Sequence, residues 1–99
     1  MVNGLNRGDV VIAESSFGIR PFIVVGVGGG VQAVSCTSQG YHDGDQDYVK
    51  IHQGDGGLHK ESFAYCAEVY ELNPEDILLH IGEIDSSTYM QIQRSLQPS

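Results

Sequence analysis

The chain has 99 residues, 40% of them hydrophobic and 13 of them glycine, which suits one domain over residues 1–99 with a single modest core. Its formal charge of -8, from 13 Asp and Glu against five Lys and Arg, argues against non-specific binding to nucleic acid or anionic membranes. No apolar run approaches the roughly 20 residues of a membrane span. The opening residues lack the pattern of a signal peptide, so a cytoplasmic protein without membrane contact is expected.

The cysteines and histidines do not indicate a metal site. Cys36 and Cys66 follow no metal-ligand spacing, and we expect two reduced, buried thiols. The four histidines share no short ligand spacing either: His42, His52, His59 and His80. The sequence therefore predicts neither a metal nor another cofactor.

Short runs of Val and Ile between glycines favour strands over helices. Five strands are predicted, at residues 10–13, 22–25, 31–37, 48–53 and 62–72. Gly26 and the glycines 28–30 predict a hairpin between the second and third strands. The polar segment from Ser38 to Asp47 is typical of a loop. The fifth strand mixes aromatic and small residues over a long run, which favours a bend or bulge within it.

Two helical segments are predicted near the C-terminus. The order Asn73-Pro74-Glu75-Asp76 is typical of a helix start, so a short helical turn is expected over Ile77 to His80. A final helix is expected from Asp85 or Ser86 to about Leu96. Its apolar face is made of residues at helical spacing: Tyr89, Ile92 and Leu96. The fold class is therefore mainly β, with a short helical turn and a C-terminal α-helix.

Arg20 is a candidate anion-binding residue because it lies at the start of the most apolar strand, directly before Pro21. Proline disfavours the helical region for the residue before it, so the guanidinium is held on extended backbone. Thr37 and Ser38 end a neighbouring strand, and a hydroxyl beside a guanidinium can hold a phosphate. From the residues alone, an ion pair between Arg20 and one of the many acids is an open alternative.

Several motifs are spread along nearly the whole chain, and in their order and spacing the chain resembles the MazF/PemK family of toxins from bacterial toxin-antitoxin modules. The matching segments are Gly8-Asp9-Val10 with G-D-[IV], Arg20-Pro21 with R-P before an apolar strand, Thr37-Ser38-Gln39 with T-[ST]-x, Gly57-Leu58-His59-Lys60-Glu61-Ser62 with G-L-x-K-[DE]-S, and Ile81-Gly82-Glu83-Ile84 with I-G-x-[LI].

The resemblance implies a single small SH3-like β-barrel of about five strands with a C-terminal helix, forming a homodimer. It implies an endoribonuclease that cleaves single-stranded RNA without a metal and is silenced by an antitoxin protein. By resemblance, Arg20 would stabilise the pentavalent phosphate and assist proton transfer, and Thr37 would position the scissile phosphate after attack by the 2′-hydroxyl. Pro21, Ser38 and Gln39 would contact the substrate.

Differences from the family pattern favour a second hypothesis. The segment from Glu14 to Ile19 is short where the family carries a longer loop, and Tyr70 stands where many members have a cation. With the acidic charge, these differences favour a catalytically weak or silent member that binds protein, such as a decoy for a basic antitoxin tail. A third hypothesis is a peptide-binding adaptor with a tyrosine groove: Tyr41, Tyr48, Tyr65 and Tyr70.

Overall fold

The structure is a computed structural model that describes residues 4–38, 40 and 44–96. The described residues form six antiparallel strands and one α-helix: β1 (Asp9–Ser15), β2 (Gly18–Gly26), β3 (Val31–Thr37), β4 (Tyr48–Ile51), β5 (Ser62–Leu72), β6 (Ile77–Glu83) and α1 (Ser86–Leu96). The strands make one sheet in the order β4-β5-β3-β2-β1-β6. Short 3₁₀ turns lie at Asp55–Gly57 and Pro74–Asp76. Within the described residues, no helix is long and apolar enough to span a bilayer.

The predicted mainly β fold is confirmed. β3 and β5 have the predicted bounds, whereas β1 and β2 are longer than predicted and β4 is shorter. β2 and β3 pair as the predicted hairpin. The irregularity expected in the fifth strand is also present, because Ala33 pairs with Tyr70 while Ser35 pairs with Tyr65, a bulge that bends β5.

The helical turn predicted over Ile77 to His80 is wrong. The start signal produces only one 3₁₀ turn at Pro74–Asp76, and the chain then continues as β6, which pairs with β1 through Asp9 and Glu83. β1 offers a row of unpaired backbone groups, and satisfying them outweighs continuation of a helix. The strand count therefore rises from about five to six, and the sheet is not closed into a full barrel, with β4 and β6 at its edges.

Apolar side chains pack on both faces of the sheet because neighbouring residues of a strand point to opposite sides. Val10 belongs to one cluster and Val11 to the other. Helix α1 covers the first cluster with the predicted apolar face: Tyr89, Ile92 and Leu96. Cys36 and Cys66 are free, buried thiols in this same cluster, as predicted.

The segment from Gly54 to Leu58, called the glycine turn below, lies directly against β6. Gly57 has a φ of 83°, and a Cβ there would overlap the carbonyl of Ile81. A Cβ on Gly82 would lie 2.5 Å from the Gly56 oxygen. Only glycines allow this approach of two backbones. The turn consequently fixes where the residues that follow it, His59 and Lys60, leave the sheet edge.

The same turn also holds the start of α1. One Asp55 carboxylate oxygen accepts the Asp85 backbone N–H at 2.9 Å, and the other accepts the Thr88 hydroxyl at 2.8 Å. These bonds satisfy a backbone donor at the helix N-terminus and place a negative charge near it. The glycine turn, β6 and α1 therefore form one connected unit.

Replacing Gly82 by alanine tests this unit. Gly82→Ala should lower the free energy of unfolding by about 1–3 kcal/mol because the new methyl group overpacks against the turn. At this chain length that corresponds to a decrease in Tm of roughly 4–24 °C. Gly29→Ala is the matched control, since a Cβ at Gly29 meets nothing within 4 Å. Equal Tm values for the two variants, measured by circular dichroism, would contradict the packing described here.

Candidate functional site

The candidate site begins at the hairpin that joins β1 to β2. Ser15 pairs with Gly18, so only two residues connect the strands. The Ser15 hydroxyl donates to the Gly18 carbonyl at 2.9 Å and accepts the Phe17 backbone N–H at 3.2 Å. The short segment noted from Glu14 to Ile19 is thus a tight, self-bonded turn, and it holds Phe17 beside Arg20.

Arg20 lies on β2 opposite Ala13, with its side chain exposed. Its guanidinium carbon lies 5.7 Å from the centroid of the Phe17 ring, a cation–π contact. Over the part of the chain that the structure describes, no carboxylate lies within ion-pairing distance of Arg20, whereas Lys50 pairs with Glu61 at 3.6 Å. The ion pair left open from the sequence is not formed there.

Arg20 and Thr37 meet in a cleft of about 500 Å³, called the cationic cleft. Polar and charged residues of its wall include Arg20, Thr37, Ser38, His59, Lys60 and Ser62, with Pro21 beside them. Two of the five Lys and Arg residues therefore line it, and no Asp or Glu occurs among its described lining residues. The structure brings together four residues predicted from the sequence. Gln39, the fifth, lies outside the described residues.

Lys60 and His59 were not identified as site residues from the sequence. The G-L-x-K motif carries them, but the approach of Lys60 to Arg20 depends on how the glycine turn packs. No carboxylate of the described residues lies within ion-pairing distance of Lys60. The Ser62 hydroxyl donates to the Lys60 carbonyl at 3.0 Å, which orders the backbone at this wall. The cleft thus holds two cations from separate segments of the chain.

Cys36 also lines the cationic cleft, but it is buried. Burial raises the pKa of the Cys36 thiol far above its usual range, and the nearby Cys66 raises it further. Burial likewise raises the pKa of Cys66 to about 11. Both thiols are therefore neutral near pH 7, and neither is suited to act as a nucleophile, which would require the thiolate.

A second cleft, of about 270 Å³ and called the aromatic cleft, adjoins the first. Arg20 and Thr37 line both clefts. The aromatic cleft also has Ser35 in its wall, together with four rings: Phe17, Tyr48, Tyr65 and Tyr70. The Tyr48 and Tyr65 ring centroids are 5.2 Å apart, and Tyr70 meets Phe17 edge-on at 5.6 Å. Tyr41, the remaining tyrosine of the groove considered from the sequence, lies outside the described residues.

Metal-ligating side chains do not cluster in the part of the chain that the structure describes, where no group of three His, Cys, Asp or Glu residues could hold an ion. His42 lies outside that part. The absence of a metal and of any other cofactor stays a prediction from the sequence.

The sequence matches no protein-family model and no curated protein. Among solved structures, an endoribonuclease in complex with its cognate antitoxin from a mycobacterial species superposes with a TM-score of 0.80 at 19% identity, covering 94% of this chain and 91% of that one. The Mycobacterium tuberculosis toxin MazF-mt6 gives 0.75 at 17% identity, covering 89% and 91%. A MazE-MazF structure from Deinococcus radiodurans gives 0.72 at 19% identity, covering 93% and 90%.

These structural similarities extend over about nine-tenths of each compared chain, whereas the sequence identity stays at or below 19%. What is shared at that level is the path of the backbone. The fold implied by the resemblance to the MazF/PemK family is confirmed: this chain has the fold of MazF toxins.

Proposed function

We propose that this protein is a metal-independent endoribonuclease toxin of a toxin-antitoxin module and cleaves single-stranded RNA. The observation that carries the proposal is the cationic cleft, which gathers Arg20 and Lys60 in a chain of net charge -8. Cations grouped away from carboxylates suit a polyanionic substrate, because each can contact a phosphate directly. The shared fold with an endoribonuclease and a MazF toxin supports the same reading.

The proposed chemistry is attack of a ribose 2′-hydroxyl on the adjacent phosphorus. The new oxygen–phosphorus bond forms as the bond to the 5′-oxygen breaks, leaving a 2′,3′-cyclic phosphate and a 5′-hydroxyl. Negative charge increases on the phosphoryl oxygens in the transition state, where the Arg20 guanidinium stabilises it and the Thr37 hydroxyl donates a further hydrogen bond.

Two proton transfers accompany this step, because the 2′-hydroxyl loses a proton and the departing 5′-oxygen gains one. Arg20 can donate a hydrogen bond to either oxygen, but a guanidinium is a poor base near pH 7. His59 lines the same cleft, and an imidazole can both accept and donate a proton. We therefore assign proton transfer to His59, which accepts the proton of the 2′-hydroxyl and donates one to the departing 5′-oxygen, while Arg20 stays protonated as a hydrogen-bond donor and Lys60 binds a neighbouring phosphate.

RNA cleavage in EDTA tests the activity. The wild-type protein should cleave a mixed-sequence single-stranded RNA and leave 2′,3′-cyclic phosphate ends. Arg20→Ala should lower the cleavage rate about 10²–10³-fold, the usual effect of losing a donor to transition-state charge.

Arg7→Ala is the matched control, because it removes the same charge from an exposed site outside the cleft. Equal rates for the two variants, or a requirement for a divalent ion, would contradict the proposal. Loss of all cleavage with antitoxin binding retained would favour the silent binding module.

We also propose a homodimer. A third depression, the apolar cleft, has a volume of about 500 Å³ and is lined by Ile12, Gly57, Leu58, His59, Leu79 and Ile81. It adjoins the cationic cleft because Leu58 and His59 line both. Leu79, 56% exposed, is a large apolar residue at its rim. A second copy covering this surface would bury apolar area and would lie next to Arg20 and Lys60.

A charge placed at Leu79 tests the dimer. Leu79→Glu should convert the protein to a monomer, because an ionised carboxylate would have to be desolvated in the interface. Met90→Glu is the matched control: Met90 is 51% exposed on α1 and does not line the apolar cleft. Analytical ultracentrifugation gives the mass of each variant. A wild-type monomer, or a dimer unaffected by Leu79→Glu, would exclude this surface.

The antitoxin, in this proposal, covers the cationic cleft. The open cleft combines Arg20 and Lys60 with the exposed apolar side chains of Phe17 and Ile19. An extended segment carrying both acidic and apolar residues fits that combination, since its carboxylates would pair with the two cations. Solved structures with the same fold include an endoribonuclease bound to its cognate antitoxin.

Inhibition by the protein encoded next to this gene tests the antitoxin site. Adding that protein should abolish RNA cleavage, and Lys60→Glu should raise the concentration needed for inhibition about tenfold or more, because like charges then face each other. Arg7→Glu, the control for charge alone, should leave the inhibition unchanged. Inhibition that is equally strong against Lys60→Glu would place the antitoxin on another surface.

A further inference from the structure

The proposed phosphate contacts do not use the rings of the aromatic cleft, which shares Arg20 and Thr37 with the cationic cleft. A phosphate held between these two residues would therefore have an aromatic surface on one side and Lys60 on the other. In single-stranded nucleic acid, each phosphate is flanked by bases that can turn outward and stack on protein rings. The cationic cleft therefore suits the phosphate of a nucleotide, and the aromatic cleft suits its base.

Strand pairing explains why a cleft exists between the rings. Tyr48, Tyr65 and Ser35 lie in one row across β4, β5 and β3, and Phe22 of β2 is the next residue in that row. Ser35 is the small member of the row, and it is half-buried. Its small side chain leaves space between larger neighbours, and its hydroxyl lies at the wall of that space, where it can donate or accept a hydrogen bond.

The rings are ordered by contacts with one another. Tyr48 and Tyr65 form a tilted pair at 5.2 Å. Tyr70 is edge-on to both Phe17 and Phe22, and its hydroxyl donates to the Glu68 carboxylate at 3.1 Å. Rings fixed in this way lose little conformational entropy when a flat ligand binds against them.

We propose that the aromatic cleft binds one unpaired nucleobase next to the phosphate held by Arg20 and Thr37. The inference rests on the proposed function and adds to it a base-binding subsite formed by the aromatic cleft. Stacking accepts any base because every base has a π-face. The hydroxyl of Ser35, between the rings, is one polar group of the cleft wall that can hydrogen-bond the base edge.

A binding experiment separates base contacts from phosphate contacts. The probes are a labelled mixed-sequence 12-nucleotide single-stranded DNA and an abasic strand of the same length, which has the same phosphates and no bases. Neither has a 2′-hydroxyl, so neither can undergo the proposed cleavage. Fluorescence anisotropy at low salt should show that the wild-type protein binds the base-containing strand about 5- to 100-fold more tightly, the usual effect of stacking one base.

Substitutions in the aromatic cleft should reduce that ratio towards one and leave the affinity for the abasic strand unchanged. Tyr65→Leu removes a ring, with Tyr65→Phe as the control that keeps it. Ser35→Leu fills the cleft and leaves every tyrosine in place, so it provides the test if Tyr65→Leu does not fold. Lys60→Ala, in contrast, should weaken the binding of both strands alike.

Three results would overturn the proposal: no detectable binding of either strand by the wild-type protein, equal wild-type affinity for both strands, or a ratio that stays unchanged in Tyr65→Leu and Ser35→Leu. The test does not depend on catalysis. A base-dependent ratio in a protein that cleaves no RNA would support the subsite and reject the nuclease, so the two failures are distinguishable.

Discussion

The candidate site depends on one backbone contact, the packing of the glycine turn against Gly82 of β6. Because neither side of this contact has a side chain, the turn lies directly on the sheet edge. It thereby directs Lys60 towards Arg20, which comes from a different part of the sheet. Asp55, in the same turn, accepts hydrogen bonds from the start of α1. A residue larger than glycine at this contact would push the glycine turn away from β6, because the two backbones touch directly. Lys60, which follows the turn, would then shift relative to Arg20.

The charge distribution restricts how a polyanion can approach. The chain carries a formal charge of -8, yet the described wall of the cationic cleft contains Arg20 and Lys60 and no carboxylate. At physiological ionic strength the Debye length is about 8 Å, so repulsion from distant acids is screened while direct contacts within the cleft are retained. A surface of this kind disfavours non-specific sliding along nucleic acid and favours a short contact with one or two phosphates. That preference suits a flexible single strand better than a rigid duplex, whose other phosphates would be brought close to the acidic surface.

Local patterns in the sequence were enough to predict the two strands that carry Arg20 and Thr37. The apolar run after Pro21 and the alternation through Thr37 predicted β2 and β3, and because these strands pair as a hairpin, Arg20 and Thr37 line the same cleft. β6 was missed because its residues do not alternate and follow a helix-start signal, whereas its partner β1 is far away in the chain. Lys60 was missed for the same reason, since its position depends on a turn that packs against β6. The aromatic cleft was not predictable either, because the bulge in β5 decides which tyrosine pairs with Ser35.

The two-residue turn before Arg20 places a single aromatic ring, Phe17, beside the guanidinium. Phe17 lies under the guanidinium of Arg20 at 5.7 Å and meets Tyr70 edge-on at 5.6 Å, so it contacts the cation on one side and the aromatic cleft on the other. An exposed cation–π contact is worth roughly 0.5–1 kcal/mol, which is enough to favour one arrangement of Arg20 but not to close the cleft. Among the described residues, the site is consequently ordered by Phe17 on one side and open to solvent on the other. In the assemblies proposed above, a second copy or an antitoxin segment placed over the cleft would meet both the cations and the rings at once.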